Sequence, residues 1–365
     1  MTHMPSRNIM GIFLILLFLI GLRCSGTAAQ LVPAIFVFGD SLVDVGNNNH
    51  LHLSLAKADF PHNGVDFPGK RATGRFSNGK NAADFLAEKV GLPTSPPYLS
   101  LVSGNSNVPS FLTGVSFASG GAGIFDSTDQ VYKQSIPLSK QVEYYTTVHD
   151  DLVKHLGSSA AHKLISKSLF AVVIGSNDVF GYSGSVKASS NPQQYVDSMT
   201  SSLKGYLNIL HSRGARKFVI IGLGPIGCCP SQRNQNRTEE CNEGTNRLSL
   251  MYNEALVAML HTLKSEELGD ISYSFYDTYT VMQSFIQSPA SNGFTEVKAA
   301  CCGLGKLKAK VACLPISKYC PNRRDHLFWD LYHPTEAAAR LFIDDAFDGP
   351  SHHAFPVNVR QLTAL

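Results

Sequence analysis

The stretch PAIFVFGDSLVDVGNNN, residues 33–49, decides which fold the sequence predicts. Residues 34–38 form a short run of β-branched and aromatic side chains, which is typical of a buried strand. Gly39 then permits a sharp turn, and Asp40 and Ser41 follow it. In parallel α/β sheets the ligand crevice lies beyond the carboxyl ends of the strands, so Ser41 stands where such proteins bind ligands. Taken alone, these three residues are explained more simply as an ordinary turn.

Strands and helices alternate along the rest of the chain. The helix boundaries are marked by a cap at Ser77 or Asn78, a stop at Gly91, and Asn191 followed by Pro192. The pattern predicts strands at 115–118, 168–174, 217–221 and 271–276, the last being the final strand, and helices at 138–156 and 246–268 and from Pro334 or Thr335. This alternation predicts a parallel sheet with helices on both faces.

Residues 1–29 differ from the rest of the chain. Arg7 is the only charge before the apolar run 9–22, and small and polar residues follow it. Because the run is shorter than the roughly 20 residues of a membrane span, it predicts a secretory signal peptide cleaved near Ala28 or Ala29, with an uncleaved signal anchor as the alternative. No linker or repeat follows, so we expect residues 30–365 to form one domain.

The charge of the chain argues against several partners. Cleavage of residues 1–29 removes Arg7 and Arg23 and no acidic residue, which leaves 29 Lys and Arg against 28 Asp and Glu. Charged residues make up only 16% of the chain, and no basic run is interleaved with aromatic residues. We therefore expect neither nucleic acid nor an anionic membrane as a partner, and no stable membrane span.

Seven cysteines follow the predicted signal peptide, and in a secreted protein they are expected to form disulfides. We expect a bridge between Cys228 and Cys241, with Cys229 as the candidate for the unpaired thiol. Two further bridges are expected among Cys301, Cys302, Cys313 and Cys320, whose pairing the spacing leaves open. A zinc site is the competing interpretation of this second cluster, but the cluster contains no CxxC pair.

Three of the predicted strands end in residues that suit catalysis. Ser41, the pair Gly120 and Gly121, and Asn177 each follow a different strand, so a parallel sheet would bring them to one rim. Backbone N–H groups of Ser41 and one of the glycines, with the Asn177 amide, are donors that stabilise a tetrahedral intermediate. Either glycine fits this role.

Near the end of the chain, Asp330 and His333 lie three residues apart just before the last predicted helix. A tight loop there would let Asp330 hold the His333 ring and leave the other ring nitrogen free to take a proton from Ser41. A serine nucleophile needs such a base, because an unassisted hydroxyl is weakly nucleophilic.

Four segments, FGDSLVDVGNNN, GVSFASGGAGI, IGSND and FWDLYHPT, resemble in order and spacing the blocks of the plant GDSL esterase/lipase family, within the SGNH hydrolases. The resemblance covers residues 33–348 and implies a flavodoxin-like three-layer α/β/α sandwich with no metal or organic cofactor. It implies that Ser41 is the nucleophile, His333 the base and Asp330 its orienting partner, with Gly121 and Asn177 as oxyanion donors. Ser116, where the family more often has Asn, and the additional thiol of Cys229 depart from the pattern.

The resemblance implies a secreted serine esterase that hydrolyses carboxylic esters through an acyl-enzyme. We expect an extracellular location, in the cell wall or apoplast, and an ester substrate drawn from lipids, polyesters, or acylated metabolites or polysaccharides. Asn236, in the sequence Asn-Arg-Thr, is a candidate glycosylation site. An acyltransferase that uses the same acyl-enzyme and a catalytically idle binding protein are the alternatives.

Overall fold

The computed structural model of the protein describes residues 30–103, 108–128, 132–184 and 191–365, so the predicted signal peptide lies outside the described residues. The central sheet has five strands in the order β1, β2, β3, β4, β9. These are β1 Ile35–Gly39, β2 Leu169–Val173, β3 Lys217–Ile221, β4 Ser272–Tyr276 and β9 Ala354–Pro356. The first four strands are parallel, and β9 runs antiparallel to β4.

Two small sheets lie outside the central one. Strand β5, Glu296–Ala300, pairs in parallel with β8, His326–Phe328, and β6, Cys302–Gly303, pairs antiparallel with β7, Lys318–Tyr319. The disulfides Cys301–Cys320 and Cys302–Cys313 cross-link this region, and Cys228–Cys241 closes a separate loop. Cys229 is a free, buried thiol, as predicted.

The helices cover both faces of the central sheet. They are α1 Ala82–Lys89, α2 Tyr98–Val102, α3 Leu138–Leu156, α4 Ser158–Lys167, α5 Ser176–Gly184, α6 Pro192–Ser212, α7 Pro230–Gln235, α8 Glu243–Thr262, α9 Thr278–Gln287, α10 Glu336–Asp348 and α11 Val359–Ala364. Helices α3, α4, α6 and α8 pack on one face, and α1, α10 and α11 pack on the other. The predicted three-layer α/β/α fold is therefore confirmed.

A segment without regular strand structure, residues 113–119, runs along the free edge of β1. The amide of Val37 donates to the carbonyl of Val115, and the amide of Phe117 donates to the carbonyl of Val37. The predicted strand at 115–118 therefore forms only isolated bridges, although it bonds as a parallel neighbour of β1. When this segment is counted as an edge strand, the chain after β1 first goes to one side of β1, to residues 113–119, and then to the other side, to β2. A reversal of this kind is the switch point where flavodoxin-like sheets bind ligands.

The two faces of the sheet carry side chains of different size. Because successive residues of a strand point to opposite faces, Phe36 and Phe38 of β1 face one way, and Ile35 and Val37 face the other. The same alternation places Phe170, Phe218 and Phe275 with the first pair. The face toward α1 and α10 instead receives smaller residues, among them Ala171 and Val219.

Two sequence predictions about the elements are wrong. Helix α1 is capped by Asn81, whose side chain accepts from its first turn, and not by Ser77 or Asn78. Asn78 instead accepts from the amide of Glu336 at the start of α10, over 2.8 Å. The strand at 271–276 is not the last, because β9 follows it. The helix expected over 246–268 is confirmed, since a π-helical turn, Leu263–Glu267, continues α8.

A buried ion pair joins α1 to the loop before it. Arg75 donates to both oxygens of Asp84, over 2.7 and 2.8 Å, and also to the carbonyl of Val45 over 3.3 Å. Asp84 accepts in addition from the amide of Asn81. The pair therefore connects α1 to the chain that follows Ser41.

Replacing Asp84 with Ala should lower the free energy of unfolding by about 3–5 kcal/mol, because it leaves the Arg75 charge buried without a partner. Urea denaturation measures the change. The matched control is Glu143→Ala, which removes the exposed Lys140–Glu143 pair and should cost less than about 1 kcal/mol. Equal costs for the two variants would contradict this account of Asp84.

Candidate active site

Ser41 lies two residues beyond the end of β1, at a point where the backbone is tightly packed. A Cβ atom on Gly39 would lie 2.3 Å from the carbonyl oxygen of Val173, so only glycine fits there. Gln141 of α3 accepts from the Gly39 amide and donates to the Gly39 carbonyl, both over 2.8 Å. These contacts fix the direction in which the chain leaves the strand toward Ser41.

His333 and Asp330 meet Ser41 from a tight loop before α10. The Nδ1 atom of His333 lies 2.8 and 2.9 Å from the two carboxylate oxygens of Asp330, and Nε2 lies 2.7 Å from Oγ of Ser41. The amides of Tyr332 and His333 both donate to Asp330 Oδ1, so the same carboxylate shapes the loop. Polar contacts thus join the side chains of Asp330, His333 and Ser41 in that order.

The charge state of Asp330 suits this arrangement. Burial alone would raise the pKa of Asp330. Burial is the largest single effect, but the electrostatic interaction with His333 and the hydrogen bonds from the ring and the loop amides together outweigh it and hold the pKa of Asp330 below its ordinary value. Asp330 is therefore a carboxylate at neutral pH, able to orient the ring and to stabilise it when it is protonated.

The loop that contains Gly120 and Gly121 is held by side chains of the sequence that follows Ser41. Asp44 is fully buried and accepts from the amides of Gly46, Asn47 and Gly120, over 2.7, 2.8 and 3.0 Å. Asn48 donates to the carbonyl of Gly120 over 2.8 Å. The polar run after Ser41 therefore sets the position of the second loop.

Gly121 and Asn177 reach the same cavity as Ser41. Gly121 has a φ of +81°, which favours glycine, and its amide makes no hydrogen bond to any other residue in the described part of the chain. Asn177 donates one amide hydrogen to the carbonyl of Ala122, over 2.8 Å, which leaves its second amide hydrogen for a ligand.

Asp178 holds the far side of the same loop. Its carboxylate accepts from the amides of Ile124 and Phe125, over 2.9 and 3.2 Å, and from the hydroxyl of Thr128 over 2.6 Å. Burial raises the pKa of Asp178 to about 6, and burial likewise raises the pKa of Asp44 to about 6. Two buried carboxylates thus organise the loop from opposite sides.

The structure brings together the site residues that the sequence predicted, since Ser41, Gly121, Asn177, Asp330 and His333 all line one cavity of about 700 Å³. Gly120 does not line it, and its amide is engaged by Asp44. Sequence motifs alone do not assign a role to four residues that position the site: Asp44, Asn48, Gln141 and Asp178. The signal for the first two was Asp44 between two valines and the three consecutive asparagines, Asn47 to Asn49, shortly after a buried strand.

Ser116 and Cys229, the two residues that depart from the family pattern, lie in different surroundings. The hydroxyl of Ser116 is buried and has no hydrogen-bond partner among the described residues, while the carbonyl of Ser116 accepts from Asn47. Cys229 lines the cavity, and burial raises the pKa of its thiol to about 12, with the Asp330 charge adding to the effect. The thiol therefore stays protonated and is a poor nucleophile.

The described residues contain neither a candidate metal site nor a candidate membrane span. Within these ranges, no three His, Cys, Asp or Glu side chains converge in a way that would hold a metal ion. None of the helices in the same part of the chain combines the length and apolar character that a bilayer span requires.

The sheet order and the helices on both faces define a protein of the three-layer α/β/α class. The model of the GDSL-like Lipase/Acylhydrolase family matches residues 35–346. The chain therefore belongs to this family, whose members include ester-hydrolysing enzymes.

The similarity to individual relatives extends over the full chain. GDSL esterase/lipase At5g55050 of Arabidopsis thaliana is 50% identical, over 99% of this chain and 100% of that protein. GDSL esterase/lipase At3g50400 of the same plant is 37% identical, again over 99% of this chain and 100% of the relative. A solved alpha/beta hydrolase enzyme from the metagenome of Lake Arreo, Spain, covers 87% of this chain and 95% of its own, but with a TM-score of 0.37 and 11% identity it supports no argument.

The buried carboxylate of Asp44 predicts a pH dependence of stability. Its pKa is about 6 in the folded protein against an ordinary 3.8, so the folded state retains the proton between these values. Ionisation in this window therefore costs stability, and the wild type should lose about 3 kcal/mol relative to Asp44→Asn as the pH rises through it. Urea unfolding of both proteins across the window measures the difference, and a constant difference would contradict the prediction.

Proposed function

We propose that this protein is a secreted serine esterase that hydrolyses carboxylic esters through an acyl-enzyme. The observation that carries the proposal is the line of contacts from Asp330 through His333 to Ser41, with Nε2 of His333 2.7 Å from Oγ of Ser41. A serine, a histidine and an acid in this order are the groups that acyl transfer through a serine requires.

In the proposed reaction, Oγ of Ser41 attacks the ester carbonyl carbon while His333 Nε2 takes the hydroxyl proton. The carbonyl oxygen becomes an oxyanion, which the amides of Ser41 and Gly121 and the side chain of Asn177 stabilise. The intermediate collapses, the carbon–oxygen bond to the alcohol breaks, and the alcohol takes the proton from His333. A water molecule, deprotonated by His333, then attacks the acyl carbon. The bond from this carbon to Ser41 Oγ breaks, Oγ takes the proton back from His333, and the acid leaves.

The surroundings of the two glycines favour Gly121 as the backbone donor. The amide of Gly120 already donates to Asp44, whereas the amide of Gly121 is unengaged by any residue of the described ranges. Asn177 keeps its orientation through its bond to Ala122, so its second amide hydrogen is available to the substrate oxygen.

Secretion is part of the same proposal. The N-terminal pattern of residues 1–29 supports it, and three disulfides are compatible with an oxidising compartment. Asn236 is half-buried in a turn where the Thr238 hydroxyl donates to its Oδ1 over 2.9 Å. We propose that residues 30–365 form one catalytic domain and that Asn236 carries a glycan.

Hydrolysis of p-nitrophenyl esters from acetate to palmitate tests the function, with Ser41→Ala measured beside the wild type. The substitution should reduce kcat by about 10⁶-fold, because it removes the nucleophile. Circular dichroism checks that both proteins are folded. If the folded wild type is no faster than Ser41→Ala on every ester, the serine-esterase proposal fails, and an idle binding protein or a transferase with another acyl donor explains the fold better.

Asn177→Ala should lower kcat by about 10²–10³-fold with little change in KM, because the lost hydrogen bond forms mainly in the transition state. The matched control is Asn191→Ala, which removes only the cap of α6 and should leave kcat unchanged. An unchanged kcat in folded Asn177→Ala would remove this residue from the mechanism.

A further inference from the structure

The cavity at Ser41 continues below the active site, between the sheet and helix α10. Its lining includes mid-strand residues of three neighbouring strands, Val37, Ala171 and Val219, which lie well below the strand ends. It also includes side chains along α10, from Ala339 to Phe347. The cavity is thus an open cleft at Ser41 with an extension into the protein interior.

The size difference between the two faces of the sheet explains why this extension exists. The opposite face is filled by phenylalanines such as Phe36, Phe170 and Phe218. On the α10 face, alanine and valine occupy the middle of the strands, and Ala339 faces them from the helix. Small side chains in the middle of the strands leave space on this face, and the larger Phe342, Ile343 and Phe347 of α10 border that space from the other side.

The extension is apolar along its length. Every lining side chain from α10 is apolar, namely Ala339, Phe342, Ile343, Ala346 and Phe347. The lining residues of β1, β2 and β3 are apolar too, namely Val37, Ala171, Val173, Val219 and Ile221, while Tyr276 of β4 also lines the cavity. Such walls favour a hydrocarbon chain and disfavour a sugar or a charged group.

The helical wall gives the length of this space. From Ala339 to Phe347, α10 covers about 12 Å at roughly 1.5 Å per residue. An extended alkyl chain of medium length fits within this distance.

We propose that the extension, defined by Val37, Ala171, Val219, Ala339 and Phe347, is an acyl-chain channel. It would take the linear alkyl chain of the acyl group while the ester carbon is at Ser41. The substrate class is then esters of medium-length, unbranched fatty acids. This inference rests on the proposed esterase function and adds the part of the substrate that the buried walls select.

The course of the reaction assigns the channel to the acyl group rather than to the alcohol. The alcohol must leave before water attacks, so it suits the side of the cavity away from the buried strands, where Lys57 also lines it. The acyl chain stays attached to Ser41 through both steps. A closed apolar channel therefore holds the part that does not have to leave first.

The channel predicts a chain-length profile. Each methylene group buried should raise kcat/KM about fourfold until the chain reaches the end of the channel, since burying one is worth roughly 0.8 kcal/mol. Ala171→Leu and Ala339→Leu fill the channel at different depths, and each should lower the ratio of kcat/KM for decanoate to that for acetate at least tenfold. Ala337→Leu, on the same helix but outside the cavity, is the matched control and should keep the wild-type ratio.

Binding of free decanoate separates this inference from the proposed function, because it requires no catalysis. Calorimetric titration of the Ser41→Ala protein should detect decanoate binding. Introducing Ala171→Leu into the same protein should weaken the affinity for decanoate at least tenfold. If the wild type hydrolyses no ester but this difference in decanoate binding appears, the proposed esterase function is refuted and the acyl-chain channel is supported. If the folded channel variants keep both the wild-type ratio and the wild-type decanoate affinity, the chain lies elsewhere and the channel is refuted.

Discussion

The close packing at the end of β1 is the constraint on which the site depends. Gly39 has no room for a side chain against Val173, and Gln141 holds both its amide and its carbonyl. Because β1 also bonds to β2 on one side and to residues 113–119 on the other, three parts of the chain meet at this strand end. A small displacement of Gly39 would therefore move Ser41 relative to the loops that are proposed to act with it.

Three buried carboxylates hold the loops around Ser41 in position. Asp44 and Asp178 accept backbone amides of the glycine loop from two sides, and Asp330 accepts the amides of its own loop as well as the ring of His333. Each carboxylate thus uses hydrogen bonds to backbone N–H groups to position a loop that has no regular structure. Such bonds are strong because the acceptor is ionised, and they are directional, which suits donors that must be preorganised.

Much of the fold and the predicted site could be read from local patterns. The run 217–221 coincides with β3, Asn191 and Pro192 begin α6 as predicted, and Asp330 meets His333 because a contact three residues apart is local. The missed features are contacts between distant segments. Asn78 resembles a cap for the helix that follows it, but it accepts from Glu336, and the bond from Gly39 to Gln141 spans 102 positions. Periodicity along the chain carries no signal for such pairs.

Covalent labelling of the folded protein with an alkyl fluorophosphonate tests the central claim most directly, because the reagent reacts with a serine that a neighbouring base activates. The account predicts one adduct per molecule, located by peptide mass mapping at Ser41. Asp330→Asn should label more slowly by about 10⁴-fold, since it disturbs the orientation and tautomer of His333. No adduct on Ser41 in the folded wild type, or an equal labelling rate in Asp330→Asn, would contradict the account.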